Sequence, residues 1–287
     1  GSGYDGINTL FHEGGHAAHF ANVKMNAPCF SQEFAPTSMA YAETQSMFCD
    51  SLLTDADWLK QYALDDEGNS VPDETIQAML NSRQPFKAYE ERSILVVPYF
   101  ERALYQLSDD ELTPEHITKL ARDCEKQILG LECSPRPLMA IPHLLSDEAA
   151  CAYQGYLLAH MAVYQTRAYF LEKFGYLTDN PEIGPLLAKH YWHAGNHLSH
   201  NETIVSLTGE GFNAKYLADV CNLSPEQAWE VQQKKIDSLA TRGRAPVASL
   251  NATIKVVDGS KELASNVISD EQMCDDFERY IVETYGR

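Results

Sequence analysis

Residues 9–20 read TLFHEGGHAAHF, and the spacing of His12 and His16 constrains this chain more than any other feature. On a helix, residues four apart share a face, so two imidazoles can reach one ion. Glu13 stands beside that pair rather than on it. A carboxylate there can take a proton from a water activated by the metal. The flanking residues favour a helix: Asp5 is a candidate cap, and Ile7, Leu10, Phe11, Ala18 and Phe20 supply apolar surface. The motif is read as part of a zinc site, with Zn2+ as the expected cofactor, and not as two core histidines beside a solvated glutamate.

A catalytic zinc site takes three protein ligands and keeps one position for water. A third histidine six residues past the second would fall at position 22, which is Asn22. His19 is too close in sequence to complete the site easily. A glutamate from a second helix is the other source, and the candidates are Glu33 and Glu43. Glu33 lies in CFSQEFAPTS, where prolines and hydroxyl residues suggest a loop. Glu43 lies in SMAYAETQSMFCDSLL, which reads as a helix with apolar Met39, Ala40, Met47, Phe48 and Leu52. A helix holds a ligand more rigidly, so Glu43 is favoured.

The chain has 287 residues, enough for one large domain or two. Its net charge of −19 argues against nucleic acid and against an anionic membrane surface. No apolar run approaches the ~20 residues of a membrane span. The seven cysteines are odd in number and form no CxxC pair. That pattern fits reduced thiols and a cytoplasmic location better than a disulfide framework. The sequons at Asn201 and Asn251 carry little weight. A start this close to a catalytic helix leads to the expectation that the chain is the C-terminal part of a longer protein. Its oligomeric state is left open.

Further along, Pro98 sits inside an apolar-periodic stretch from about Phe86 to Leu107 and predicts a kink or break. Thr113-Pro114 reads as a helix start and Gly130 as its stop. Residues 133–143, CSPRPLMAIPH, are punctuated by proline and deliver His143 on a loop. Ser146, Asp147 and Glu148 cap a predicted helix that runs to Gly175. Tyr153, Tyr156, His160 and Tyr164 fall along one stripe of it. The stripe suits either packed tyrosines or phenols that donate to a developing oxyanion. His190, His193, His197 and His200 also have helical spacing; an exposed titratable face is favoured there over a second metal site. Pro225 starts another helix after Ser224. Asp258-Gly259, between β-branched residues, signals a hairpin, and Ser269 to Tyr285 reads as a final helix. The expected division is a catalytic domain over residues 1–245 and a hairpin-plus-helix extension over 246–287.

With those residues placed, the sequence resembles the M3 family of zinc oligopeptidases, relatives of thimet oligopeptidase and oligoendopeptidase F. The likeness is carried by FHEGGHAAHF, by AYAETQSMF, by His143 followed by Tyr153-Gln-Gly-Tyr156, and more loosely by NETIVSLTGEGFNAKYLADVCNLSP. It covers roughly residues 4 to 240. The resemblance implies a mainly α, multi-helix zincin-type domain with a deep channel between two halves. It implies His12, His16 and Glu43 on zinc, Glu13 as general base, and Tyr153 and Tyr156 with His143 steadying the intermediate or the peptide. The family's glycine-rich loop before the tyrosines is replaced here by LLSDEAACA, and the chain is expected to be without the N-terminal part that forms the family's opposite channel wall. The expected activity is a zinc metalloendopeptidase acting on short peptides. The alternatives are a dipeptidyl carboxypeptidase, with Arg136 or Arg167 holding the substrate carboxylate, and a zinc-binding fragment inactive without its other half.

Overall fold

Gly3–Ala21 form the first helix, α1. The computed structural model describes residues 3–27, 29, 38–65, 67–146, 149–242 and 251–286. By backbone contacts the chain falls into two units, Gly1–Arg244 and Ala245–Arg287. Asp5 lies within the first turn of α1 and is not its cap; a carboxylate there favours the helix through the dipole. Ile7 and Leu10 remain exposed, and the buried face carries Gly15 and His19.

The second helix, α2 (Met39–Asp50), is the centre of the first unit. It is buried at Ala40, Tyr41, Ala42, Thr44, Gln45, Ser46 and Phe48, so almost every face meets protein. Its polar side chains are satisfied where they are buried. Thr44 donates to the Ala40 carbonyl at 2.7 Å, and Trp192 Nε1 donates to Gln45 Oε1 at 2.8 Å. Short α3 (Ala56–Tyr62), α4 (Asp73–Arg83) and α5 (Lys87–Leu104) follow. Pro98 lies inside α5, and the helix continues across it. The missing donor costs ~3 kcal/mol. Fully buried Val97 and Phe100 flank the proline, and each such side chain contributes ~1.5–3 kcal/mol, which offsets that cost.

Then come α6 (Pro114–Leu129), α7 (Gln154–Phe174), α8 (Ile183–Leu187), α9 (His200–Thr208), α10 (Lys215–Cys221) and α11 (Pro225–Arg242). Thr113 caps α6 by accepting from the His116 amide at 3.2 Å, and α6 and α7 stop at Gly130 and Gly175 as expected. The tyrosine helix α7 begins later than its sequence suggests. Cys151 adopts a left-handed conformation (φ 60°), and its amide donates to Glu101 Oε1 of α5 at 2.8 Å. That tertiary bond holds residues 149–153 as a turn and makes Tyr153 the residue that precedes α7. The predicted caps Asp147 and Glu148 lie outside the described residues.

α2 packs against α1 on one side and α7 on the other. One core cluster joins Phe48 to Val163, Phe170, Tyr191 and Ile204; a second joins Val97, Phe100, Leu138 and Tyr153. In the second unit, β1 (Lys255–Asp258) pairs antiparallel with β2 (Lys261–Ser265) around Gly259, and α12 (Asp270–Tyr285) is capped by Ser269.

A buried ionic cluster ties α3, α7 and α11 together. Asp55, which precedes α3, accepts from Arg167 at 2.6 and 2.8 Å and from Lys235 at 2.5 Å. Burial works to raise the Asp55 carboxyl, and the charges of Arg167 and Lys235 outweigh it, so the group is held below the usual carboxylate range. We expect Asp55→Asn to lower stability by ~3–5 kcal/mol, because it leaves two cations buried together. Urea unfolding checks this. Asp123→Asn, at the exposed Lys119–Asp123 pair, is the comparison and should change stability by under ~0.5 kcal/mol.

Candidate metal centre

His12 and His16 lie one turn apart on α1 and face Glu43 on α2. Glu43 Oε2 is 3.3 Å from His12 Nε2 and 3.8 Å from His16 Nε2. One donor atom from each of the three residues lies within 4.8 Å of the others, and they form a cluster with metal-ligand chemistry among the described residues. Donors bound at about 2.1 Å to one tetrahedral ion are about 3.4 Å apart, so the three need only small adjustments to share a zinc ion.

The donor chemistry also fits. Two imidazoles and one carboxylate are a set that catalytic zinc uses, with a position left for water. His12 Nδ1 bonds to Asp50 Oδ2 at 2.9 Å, which assigns a proton to Nδ1 and turns Nε2 toward Glu43. The Asp50 bond, followed by the bond to Glu43, pushes the His12 imidazole up to about 10. Two carboxylates thus make this a place for positive charge, which a divalent cation satisfies as a proton does. Asp50 was not singled out from the sequence. It lies seven residues after Glu43 on the same helix, two turns along one face, and that spacing was the available signal.

Gly15 sets the distance between the helices. A Cβ at this position would lie 2.7 Å from Ser46 Cα and 3.0 Å from the Gln45 carbonyl oxygen. Both are backbone atoms, so α1 could not approach α2 this closely with any side chain at position 15. Gly155 allows a less extreme approach at the start of α7, where a Cβ would meet Met39 Cγ at 3.0 Å and the Ala40 amide at 3.2 Å.

Glu13 is exposed, next to His12 on α1. His143 sits on the short turn Pro142–Leu145, and its Nε2 is 3.2 Å from the Tyr156 hydroxyl. The rings of His143, Tyr153 and Tyr156 meet edge-on, with centroids 5.0–5.7 Å apart. The two phenols differ in surroundings. Tyr153 is buried, and its hydroxyl accepts from Arg136 at 2.9 Å. Tyr156 is partly exposed. Burial raises its phenol, and so does the nearby charge of Glu43.

The remaining candidates separate cleanly. His19 is buried, and its Nε2 bonds to the Tyr41 hydroxyl at 3.0 Å. Burial, and then the charge of His16, lowers the His19 imidazole to about 4. Glu33 lies outside the described residues. Arg167 is committed to Asp55 and to Ser51, and so is not free to hold a substrate carboxylate. The late histidines do not share one helical face. A π-helical turn spans Ala188–Trp192, His190 bonds to Ser206, and half-buried His200 bonds to Thr44.

Residues 3–223 match the family model described as peptidase family M3. Among solved structures, the fold is similar to an M32 carboxypeptidase from Deinococcus radiodurans R1 (TM-score 0.59, 19% identity, 80% of this chain and 49% of that chain). It is also similar to the crystal structure of BsuCP (TM-score 0.56, 19% identity, 80% of this chain and 48% of that chain). The chain therefore spans about half the length of these two proteins. No curated protein matches it.

The geometry predicts one tightly held zinc per chain. His12→Ala, His16→Ala and Glu43→Ala should each abolish retention against a competing chelator. Asp50→Asn should weaken it by about 10- to 100-fold, since it removes only the partner that orients His12. Gly15→Ala should also weaken it while leaving every ligand in place. Undiminished zinc retention in Gly15→Ala would show that helix separation does not control the site.

Proposed function

Because the chain belongs to peptidase family M3, we propose that it is a zinc-dependent metalloendopeptidase that hydrolyses short peptides. The observation that carries this reading is the His12–His16–Glu43 cluster, with Asp50 behind His12. These three residues would hold the metal. Bound zinc would supply Lewis acidity, polarising the scissile carbonyl and lowering the pKa of water.

The chain's own groups then manage the protons. Glu13 is adjacent to the ligand pair and unencumbered by burial. Its carboxylate takes a proton from the attacking water as the new C–O bond forms. It returns that proton to the amine nitrogen as the C–N bond breaks, so the products are one carboxyl and one amine. Tyr156 donates its hydroxyl proton in a hydrogen bond to the carbonyl oxygen that gains charge. His143 holds that hydroxyl in place at 3.2 Å. Tyr153 acts one step back, packing against both rings with its hydroxyl engaged by Arg136.

The alternative of dipeptidyl carboxypeptidase action needs a free cation close to the metal. Arg167 is unavailable for it, and Arg136 is shared with Tyr153. All seven cysteines are free, in keeping with a cytoplasmic setting. Among the described residues, no helix is long and apolar enough to cross a membrane.

On a zinc-loaded chain cleaving quenched fluorescent peptides, Glu13→Gln should keep the metal and lose ~10²- to 10⁴-fold in turnover. A zinc-loaded wild type that cleaves none of a broad peptide library would instead favour an inactive zinc-binding unit. Tyr156→Phe should lower kcat by ~10²-fold or more with little change in KM, because the lost bond forms mainly in the transition state. Tyr153→Phe should act on stability, by ~1 kcal/mol, more than on rate. The reverse pattern in the two tyrosine variants would exchange their roles.

A further inference from the structure

A cavity of about 460 Å³ opens beside the metal-ligand cluster, with α1, α2, α4, α5, α7 and α11 contributing to its walls. Its size is within the range of peptide and small-molecule sites. Asp50, which holds His12, is part of the lining, so the cavity and the cluster share a wall. Tyr4 and Asn8 also line it. Tyr4, Asn8 and His12 are spaced four apart on α1 and share one face; Tyr4 and Asn8 line the cavity and His12 adjoins it through Asp50, so the cavity lies along that face toward the start of the helix.

Its charged groups are not all matched. Arg167 and Lys235 are paired with Asp55, and Glu91 is paired with His160 at 2.8 Å. Arg83 and Lys87 remain. Arg83 stands over the Tyr4 ring at 4.9 Å, and Lys87 over the Tyr164 ring at 5.0 Å. Among the described residues, neither has a carboxylate in ion-pair contact. Burial works against the charge on Lys87, and Tyr164 and then Glu91 outweigh it, so the ammonium stays charged. Glu90 also lines the cavity and is exposed. Two stacked cations without carboxylate partners in a chain of net charge −19 are a site for an anion brought by a ligand.

We infer that this cavity seats one arm of the peptide substrate, and that Arg83 and Lys87 receive a carboxylate on that arm. The inference rests on the peptidase reading for the identity of its ligand. The helix also sets a distance. From His12 to Tyr4 is eight residues, a rise of about 12 Å. An extended peptide covers ~3.3–3.6 Å per residue, so Arg83, over Tyr4, meets a group about three or four residues from the scissile bond. The carboxylate is a peptide C-terminus or an acidic side chain at that distance.

The test is fluorescence anisotropy with labelled peptides on the zinc-loaded Glu13→Gln chain, so that binding is read without cleavage. One peptide series moves a single Glu along a neutral sequence with an amidated end. A second series keeps the neutral sequence with a free C-terminus at several lengths. In the wild-type cavity, the best-placed acid should bind about tenfold or more tightly than its Gln counterpart. The preferred series tells side chain from terminus. In Arg83→Gln and Lys87→Gln, the ratio of the two affinities should fall toward one. Equal binding of acidic and neutral peptides at every position, or a preference that survives both substitutions, overturns the inference. The position scan needs no cavity variant, so a poorly folded substitution cannot hide the answer. Selective binding by a chain whose wild type cleaves no peptide upholds the cavity assignment and sinks the peptidase reading.

Discussion

The close contact between α1 and α2 is the constraint on which the rest of the site depends. Glycine at position 15 lets the backbone of one helix rest on that of the other, with no room for a Cβ. That separation places His12 and His16 within reach of a carboxylate as short as Glu43. A methyl group at position 15 would have to displace backbone atoms, and each tenth of an ångström would pass directly into the ligand geometry. Rigid packing of this kind is how a fold keeps such side chains in a fixed arrangement.

The second helix can serve as that platform because it is an interior helix whose buried polar residues have their demands met. Thr44 turns back to its own helix, Gln45 is held by Trp192, and Thr44 also meets His200. Satisfied buried polar groups rigidify a core, because any movement would leave one of them unpaired. The carboxylates follow the same logic. Asp50 is matched to His12, Asp55 to Arg167 and Lys235, and Asp57 to Arg242. In a strongly acidic chain this pairing is the condition for burying carboxylates at all. Against that background, Arg83 and Lys87, cations without a carboxylate in ion-pair contact on the wall of the adjoining cavity, stand out.

The seventh helix divides its polar stripe among separate tasks. Tyr156 lies by His143 and senses Glu43, His160 is paired with Glu91, and Tyr164 lies beneath Lys87. One face of one helix thus carries the Tyr156–His143 pair and two residues of the cavity wall, His160 and Tyr164. Gly155 seats the start of this helix against α2, so the stripe and Glu43 are held by the same support.

Several features were legible in the sequence because neighbours along the chain decide them. The paired histidines follow from helical period, the cap at Thr113 and the stops at Gly130 and Gly175 from local backbone chemistry, and the hairpin from Asp258-Gly259. Asp50, one heptad beyond Glu43, carried a spacing signal but was not singled out. Other features depend on partners distant in sequence. Pro98 does not break its helix, because the buried residues flanking it outweigh a lost hydrogen bond. The start of the tyrosine helix is set by Glu101, fifty residues earlier. Two tyrosines three apart carry the same local signal, and only Arg136 and His143 distinguish them. Arg167 reads as a free cation until Asp55 is brought against it. Periodicity and capping specify which residues share a helical face. What each face meets is decided by tertiary packing, since that alone determines which charges are buried together and which are left unmatched.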